Sequence, residues 1–311
     1  MVAAVDPITG LNLKLIHTFL LVAQHQSFRH AVELTLRTQS AVSLQIKQLE
    51  EQLGVTLLHR TTRRVTLTED GRELFDGSMK ALRLIENSLR NIHESADLRR
   101  GRVTIACSPT IASSYLAQIL RAFELDYPEI KIVVHEQNPG YLFESVLSGA
   151  VDFAIGPVIN NPDFTFKIVL EELLFALVPT SLRRFEGGRI TVQALAEQPL
   201  LLLNSASALR STLENAFAEV GVELAAKYEF SQAQTLISMA KAGLGVAILP
   251  ESVLPPALES EVQVLEIDHP NLSRKVALIT RRGHSLTPAA AQLAGRAGEV
   301  LGRYGLSRPT V

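Results

Sequence analysis

The sequence predicts an α/β protein with a small helical head, one long helix and a two-lobed body, on three observations. Residues 27–68 read as two short helices with a hairpin behind them, residues 75–96 carry a heptad seam, and strand–helix alternation begins at Val103. The 311 residues suggest about two domains. A composition of 47% hydrophobic and 20% charged residues is that of a soluble globular chain.

Leu11 to Gln24 is predicted as the first helix, with Leu13, Ile16, Phe19, Leu20 and Ala23 forming its apolar stripe. A second helix follows from Ser27, with Phe28, Ala31, Val32 and Leu34 on its apolar side, and Thr35-Leu36-Arg37 breaks it. Thr38 is placed to cap a third helix, in which Val42, Ile46, Leu49 and Leu53 recur at steps of 4, 3 and 4. Gly54 ends that helix. Its opposite face carries Gln39, Ser40, Ser43 and Lys47, with one apolar residue, Leu44. Small hydrogen-bonding groups near a helix N-terminus are what a recognition helix presents to base edges. Gln pairs bidentately with adenine, Ser bonds several bases, and Lys meets guanine or phosphate. Leu57 to Arg60 and Val65 to Thr68 read as two strands of a wing, with Arg60, Arg63 and Arg64 clustered at its tip. Cations there bind phosphate or enter a narrow minor groove. The plain alternative is a surface helical hairpin with a solvated charge run.

The run TQSAVSLQIKQLEEQLGVTLLHRTTRRVTLTEDG closely resembles the winged helix-turn-helix of the LysR-type transcriptional regulators. The resemblance rests on Gln39-Ser40-Ala41-Val42-Ser43, Ile46, Leu49-Glu50, Leu53-Gly54, Leu57-Leu58, Arg60, Leu67-Thr68 and Gly71. It implies that Gln39, Ser40 and Ser43 face the major groove and that the wing arginines approach the minor groove. Many members carry an arginine where this chain has Leu44, so one polar contact is replaced by a surface suited to a thymine methyl.

Phe75, Ser78, Leu82, Ile85, Leu89, Ile92 and Ala96 alternate steps of 3 and 4, a seam that seeks a partner helix. The alternative is an amphipathic helix lying on its own domain. A self-complementary seam beside a DNA-reading unit favours a dimer, since two heads on one axis read two half-sites. The resemblance implies the same: a dimerising linker helix, with homodimers assembling to homotetramers and RNA polymerase as a further partner. Leu98-Arg99-Arg100-Gly101 is the predicted hinge into the body.

The body is predicted as strand Val103–Cys107, helix Ile111–Leu125, strand Ile130–Glu136, helix Tyr141–Leu147 and strand Val151–Gly156. After a crossing through Glu172–Pro179 a second set follows: Leu200–Leu203, Ala208–Val220, Tyr228–Phe230, Gln232–Ala242 and Gly245–Leu249, with a closing helix Leu286–Leu301. The pattern is α/β with a mainly parallel sheet. Two such lobes joined by crossing strands resemble the periplasmic-binding-protein-like effector domain of the same family. The expected division is 1–68 for the head, 69–98 for the linker helix and 99–311 for the effector domain. Within the last, lobe I covers 102–166 and 274–305, and lobe II covers 167–273.

Ligands of open α/β sheets sit beyond the carboxyl ends of strands, often at helix N-termini. Ser108 and Thr110 follow the first strand, Asn138 precedes another helix, and Ser205 and Ser207 hold the corresponding place in the second lobe. Hydroxyls and amides there suit a small effector such as a carboxylate, and the resemblance implies that Ser108, Thr110 and the Ser205 loop line an inducer cleft. The alternative for any one of them is plain helix capping. Arg210 is a further candidate for holding an anion, against an exposed role.

Residues 1–68 hold seven Lys/Arg against four Asp/Glu, and residues 101–311 hold seventeen against twenty-one, which suits a DNA-reading head on a neutral-to-acidic body. Cys107 is the one cysteine, so an intrachain disulfide and a cysteine-based zinc site are excluded; it is expected as a buried apolar residue. His17, His25, His30 and His59 lack metal-ligand spacing, and no catalytic motif occurs. Gly243-Leu244-Gly245 follows a helix and precedes a strand, the reverse of a phosphate loop. No long apolar span and no secretion signal is read, so the expectation is a cytoplasmic protein without membrane contact or cofactor, binding double-stranded DNA and a small effector. The rival is an enzyme or solute-binding module carrying a helical dimerisation arm.

Overall fold

The computed structural model describes residues 12–60, 65–94, 101–182, 184–204, 208–254, 261–270 and 272–304. The chain forms two compact units, Met1–Leu89 and Arg90–Val311.

In the first unit, α1 (Leu13–His25) starts at Asn12, whose side chain accepts from the Lys14 N–H at 3.0 Å. α2 (Phe28–Thr35) is capped by Ser27, and α3 (Gln39–Leu53) by Thr38, whose Oγ1 accepts from the Ala41 N–H. Gly54 closes α3 at φ +72°, a left-handed conformation cheap only for glycine. The core is built from Ile16, Phe19, Leu20, Ala31, Val42, Ile46, Leu49, Leu57 and Leu58, all buried. Leu34 departs from the expected stripe and is exposed. Phe28, Ala31, Val32 and Thr35 share one arc of α2, and at 3.6 residues per turn Leu34 lies about 110° from its centre. Leu53 is also exposed, at the last position of α3.

β1 (Leu58–Arg60) and β2 (Val65–Leu67) pair antiparallel, with Leu58 opposite Leu67 and Arg60 opposite Val65. Glu50 ties this wing to α3 by accepting the Leu57 and Leu58 N–H groups at 2.9 and 3.3 Å. Thr68 Oγ1 donates to the Thr56 carbonyl at 2.7 Å and accepts from Gly71 N–H at 2.9 Å, opening α4 (Glu69–Glu94). A Cβ on Gly71 would lie 2.0 Å from the Leu57 carbonyl oxygen, which accounts for glycine there. Leu74, Phe75, Met79 and Leu82 of α4 pack on the head's core, whereas Ile85 and Leu89 are 44% and 52% exposed. The predicted seam therefore divides into a half covered by its own head and a half facing outward. The Ile92 side chain and Ala96 lie outside the described residues.

The second unit is two α/β lobes sharing one long strand. β3 (Gly101–Cys107) is followed by α5 (Pro109–Ile111), a π turn (Ala112–Leu116) and α6 (Ala117–Glu124), then β4 (Ile130–Glu136), α7 (Pro139–Leu147) and β5 (Phe153–Pro157). β6 (Phe164–Pro179) crosses to the second lobe, which holds β7 (Arg189–Thr191), α8 (Val192–Ala196), β8 (Leu200–Leu203), α9 (Ala208–Glu219), β9 (Ala226–Phe230), α10 (Ala233–Lys241) and β10 (Val246–Pro250). A 3-10 turn (Glu251–Val253) and β11 (Val262–Asp268) precede β12 (Ser273–Arg281), which returns to the first lobe, and α11 (Pro288–Gly302) closes it.

The strand order is β4-β3-β5-β12-β6-β10-β8-β9, with β11 pairing β6 and β7. β3 runs parallel to β4 and β5, and β8 runs parallel to β9 and β10, as the strand–helix alternation predicts. The sheet is nonetheless mixed, because β6 is antiparallel to β12, β10 and β11. From Phe164 to Leu173 β6 pairs with β12, and from Leu174 onward it pairs with β10 and β11. β3 is buried on both faces. Val103, Ile105 and Cys107 meet α6 and α11, and Ala106 meets α7, the arrangement that reads as a continuous apolar run. Asp152 closes the first lobe by accepting the Thr104 N–H at 2.7 Å. Gly243 turns at φ +80°, and a Cβ on Gly245 would lie 2.2 Å from the Pro199 carbonyl, so these glycines serve the turn between α10 and β10. Among the described residues no helix is long and apolar enough to cross a membrane.

Candidate functional site

The structure has two candidate sites, one in each unit. In the first, α3 splits cleanly. Val42, Ile46 and Leu49 are buried, while Gln39, Ser40, Leu44 and Lys47 are exposed and Ser43 is half-buried. The Thr18 hydroxyl donates to Gln45 Oε1 at 2.9 Å and holds the rotation of α3 against α1. Ser40 Oγ lies 3.0 Å from the Thr38 hydroxyl, beside the cap, leaving its second lone pair or its proton for a base or phosphate. Lys47 Nζ is 3.5 Å from Glu51, with both side chains well exposed. Such a pair is weak and screened, so it gives way readily to a phosphate. Leu44 is 56% exposed on this same surface, an apolar patch of the size a thymine methyl meets. Arg37, exposed just before the cap, is a cation that the sequence reading passed over; its position ahead of the helix is the signal for it. Arg60 lies in β1, but its side chain, with Arg63 and Arg64 entirely, lies outside the described residues.

In the second unit a cleft of about 780 Å³ opens between the lobes. Ser108, Thr110 and Asn138 line it from the first lobe, Asn204, Thr212 and Gln232 from the second, and Glu171, Arg274 and Lys275 from the crossing strands. Ser205 and Ser207 lie outside the described residues. Capping does not occupy the predicted side chains of Ser108 and Asn138. Each sits at a helix N-cap in extended backbone, yet neither side chain makes a capping bond. The π turn adds Ser113 and Ser114, whose hydroxyls donate to the Thr110 carbonyl at 3.2 and 2.8 Å. Inserted π turns of this kind recur at functional sites.

The charged centre of the cleft is Arg274, which the sequence reading did not single out. Its Nε donates to Glu172 Oε1 at 2.6 Å, with Nη2 at 2.5 Å from the same oxygen. Nη1 donates to Thr110 Oγ1 at 2.7 Å, and Nη2 to Ser252 Oγ at 3.3 Å. The guanidinium thus joins a first-lobe helix to the turn after β10 in the second lobe. Glu172, only 3% exposed, also accepts the Ser252 N–H at 3.1 Å. Arg274 and Glu172 are cross-strand partners on β12 and β6, a pairing 102 residues apart that no local pattern reveals. Arg210, the sequence's anion candidate, is instead held by Glu214 and Glu229 at 2.8 and 2.9 Å and does not line the cleft. Glu171 does line it and accepts the Ser273 hydroxyl at 2.7 Å.

Burial, with Glu172 nearby, pushes the Tyr115 phenol up to about 12. Burial, with Glu136 nearby, pushes the Cys107 thiol up to about 12. At neutral pH Cys107 is an inert, fully buried thiol. Among the described residues no His, Cys, Asp and Glu cluster is arranged to hold a metal.

Residues 13–72 match the bacterial regulatory helix-turn-helix proteins of the lysR family, and residues 96–302 match the LysR substrate binding domain. The chain is 33% identical over 306 residues to the uncharacterized HTH-type transcriptional regulator YfeR of Shigella flexneri, covering 93% of this chain and 98% of that one. It is 30% identical over 280 residues to the uncharacterized HTH-type transcriptional regulator YbhD of Escherichia coli strain K12, covering 90% and 88%. Full-length CbnR in complex with its target DNA shares the fold at a TM-score of 0.68 and 19% identity, covering 93% of this chain and all of that one. The exposed polar face of α3 and the cleft between two α/β lobes are therefore parts of a DNA-binding transcriptional regulator with an effector-binding domain, and the chain belongs to the LysR family.

Proposed function

We propose that Gln39, Ser40, Ser43, Leu44 and Lys47 of α3 read base edges in the major groove, while Arg60, Arg63 and Arg64 of the wing neutralise phosphates or enter the minor groove. The observation that carries this reading is the division of α3 into a buried apolar face and an exposed hydrogen-bonding face that begins at its capped N-terminus. The CbnR complex with target DNA supports it at the level of the fold. Two copies pair through the outward half of the α4 seam around Ile85 and Leu89, which sets two heads on one axis for a two-part operator. Pairs of dimers assemble into a tetramer, and RNA polymerase is the partner in activation. The cytoplasm is where such a protein works.

The cleft takes a small polar effector, with Ser108, Thr110, Asn138, Ser205 and Ser207 as its contacts. A carboxylate suits hydroxyl and amide donors, with Lys275 on the wall to balance its charge. Binding between lobes joined by β6 and by the link into β12 biases their relative placement, a population shift rather than chemistry. We assign no catalytic residue to the chain.

Gel shifts with the DNA upstream of the chain's own coding region, against random competitor, test the reading. A salt-sensitive, sequence-dependent shift that weakens and loses roughly one unit of salt slope in Arg63→Ala is expected. An unchanged slope removes the wing assignment. Turnover of a metabolite by the chain would favour the enzyme reading instead.

A further inference from the structure

We infer that Arg274, fixed by Glu172, is a positioning residue of the effector cleft: it occupies one lone pair of the Thr110 hydroxyl and turns the proton toward the ligand, which favours a hydrogen-bond acceptor such as a carboxylate there. This rests on the reading of the cleft as the effector site.

A guanidinium has only donors, so in the 2.7 Å contact between Arg274 Nη1 and Thr110 Oγ1 the hydroxyl oxygen must accept. Its own proton then points elsewhere, and among the described residues it has no acceptor. Thr110 lines the cleft, and the open direction is the cleft itself. Without Arg274 both lone pairs and the proton would be open and the hydroxyl would rotate to serve either role, so the position would discriminate less. Glu172 makes the polarity permanent. It is 3% exposed and binds Arg274 through Nε and Nη2, which leaves Nη1 aimed at Thr110. Glu172 also cancels the guanidinium's charge, so the ion pair selects by hydrogen-bond direction and adds little net field.

The wall charges pull the other way. Among the described residues Glu136 and Glu171 line the cleft with Lys275, and two carboxylates against one ammonium would by charge alone favour an amine. Hydrogen-bond direction at Thr110 and net wall charge thus make opposite forecasts, and matched probes separate them.

The full chain is titrated by calorimetry with acetate, succinate and benzoate and with ethylamine, putrescine and benzylamine. The expected result is tighter binding of each carboxylate than its matched amine, by roughly tenfold or more, the worth of one charge-assisted hydrogen bond. Thr110→Val removes that preference and Thr110→Ser keeps it. Because a single change in the ion pair endangers folding, the paired variant Glu172→Gln with Arg274→Gln is used. A glutamine amide both donates and accepts, so the preference should fall to near unity while the melting curve stays cooperative. A paired variant that folds and still prefers carboxylates overturns the role of Arg274 and leaves the cleft reading standing. Amines preferred by the unmodified chain overturn it as well. If no probe of either kind binds, the cleft reading fails and the inference with it.

Discussion

Replacing Glu172 by leucine is the sharpest test of how the lobes are held. The substitution leaves the Arg274 guanidinium, 14% exposed, without its counter-charge, and leaves the Ser252 N–H without its acceptor. Breaking one side of a buried pair costs about 3–5 kcal/mol, because the remaining charge stays desolvated. For a unit of this size each kcal/mol moves the midpoint by about 2–4 °C, so the expected loss is roughly 6–20 °C. Differential scanning calorimetry of the full chain reads it. The transition of the Arg90–Val311 unit should move, while that of the Met1–Leu89 unit, which contains neither residue, should not. Adding Arg274→Met should recover most of the loss, since an apolar pair of similar volume does not pay for burying charge. A shift below about 2 °C in the single variant, or no recovery in the double, would refute the view that this ion pair is desolvated and mutually dependent.

Other outcomes follow from the same geometry. Lys47→Ala should weaken operator binding by roughly 1–3 kcal/mol if the ammonium meets a base; a uniform loss across sequences with a flatter salt slope would place it on phosphate instead, and full affinity would remove it from the interface. Ile85→Asp puts a charge in the outward half of the α4 seam, and sedimentation should then show monomers in place of dimers; an intact dimer sinks the role of the seam. Cys107 should resist thiol reagents at neutral pH until the chain is denatured. Its folded pKa lies above the unfolded one, so its share of stability is complete below about pH 9 and is lost as pH climbs toward about 12. Cys107→Ala should flatten that alkaline decline, and rapid labelling of the native chain would show that the thiol is not buried as described.

Much of the head was legible because its determinants are local. Thr38, Gly54 and the 4-3 spacing of Val42, Ile46 and Leu49 act within a few turns of one helix, and a capped amphipathic helix announces both its ends and its exposed face. Leu34 was misplaced because it lies off the arc shared by Phe28, Ala31 and Val32, and Leu13 and Leu53 because periodicity tells which residues share an arc and not where neighbours stop covering it. The parallel strands of each lobe were legible too, since β3, β8 and β10 are buried on both faces and read as short apolar runs. β7, α8, β11 and β12 were not. β7 and α8 are only three and five residues long, β11 mixes buried and half-buried positions without strict alternation, and β12 carries only a four-residue apolar run, Val276–Ile279, between charged residues.

By itself the sequence determined the order of parts, the exposed polar face of α3, the helix that follows Ser108, and the places where strand ends meet helix starts. What the tertiary structure alone decided is the electrostatics of the cleft. Arg274 and Glu172 are ordinary charged residues in the chain, and nothing within ten positions of either forecasts the other. Only the register of β12 on β6 sets them opposite one another, buries the carboxylate and turns a guanidinium nitrogen onto Thr110. The physical reason is that capping and amphipathic burial are decided by neighbours along the chain, whereas the cost of burying a charge is decided by whatever the fold brings across from the other strand.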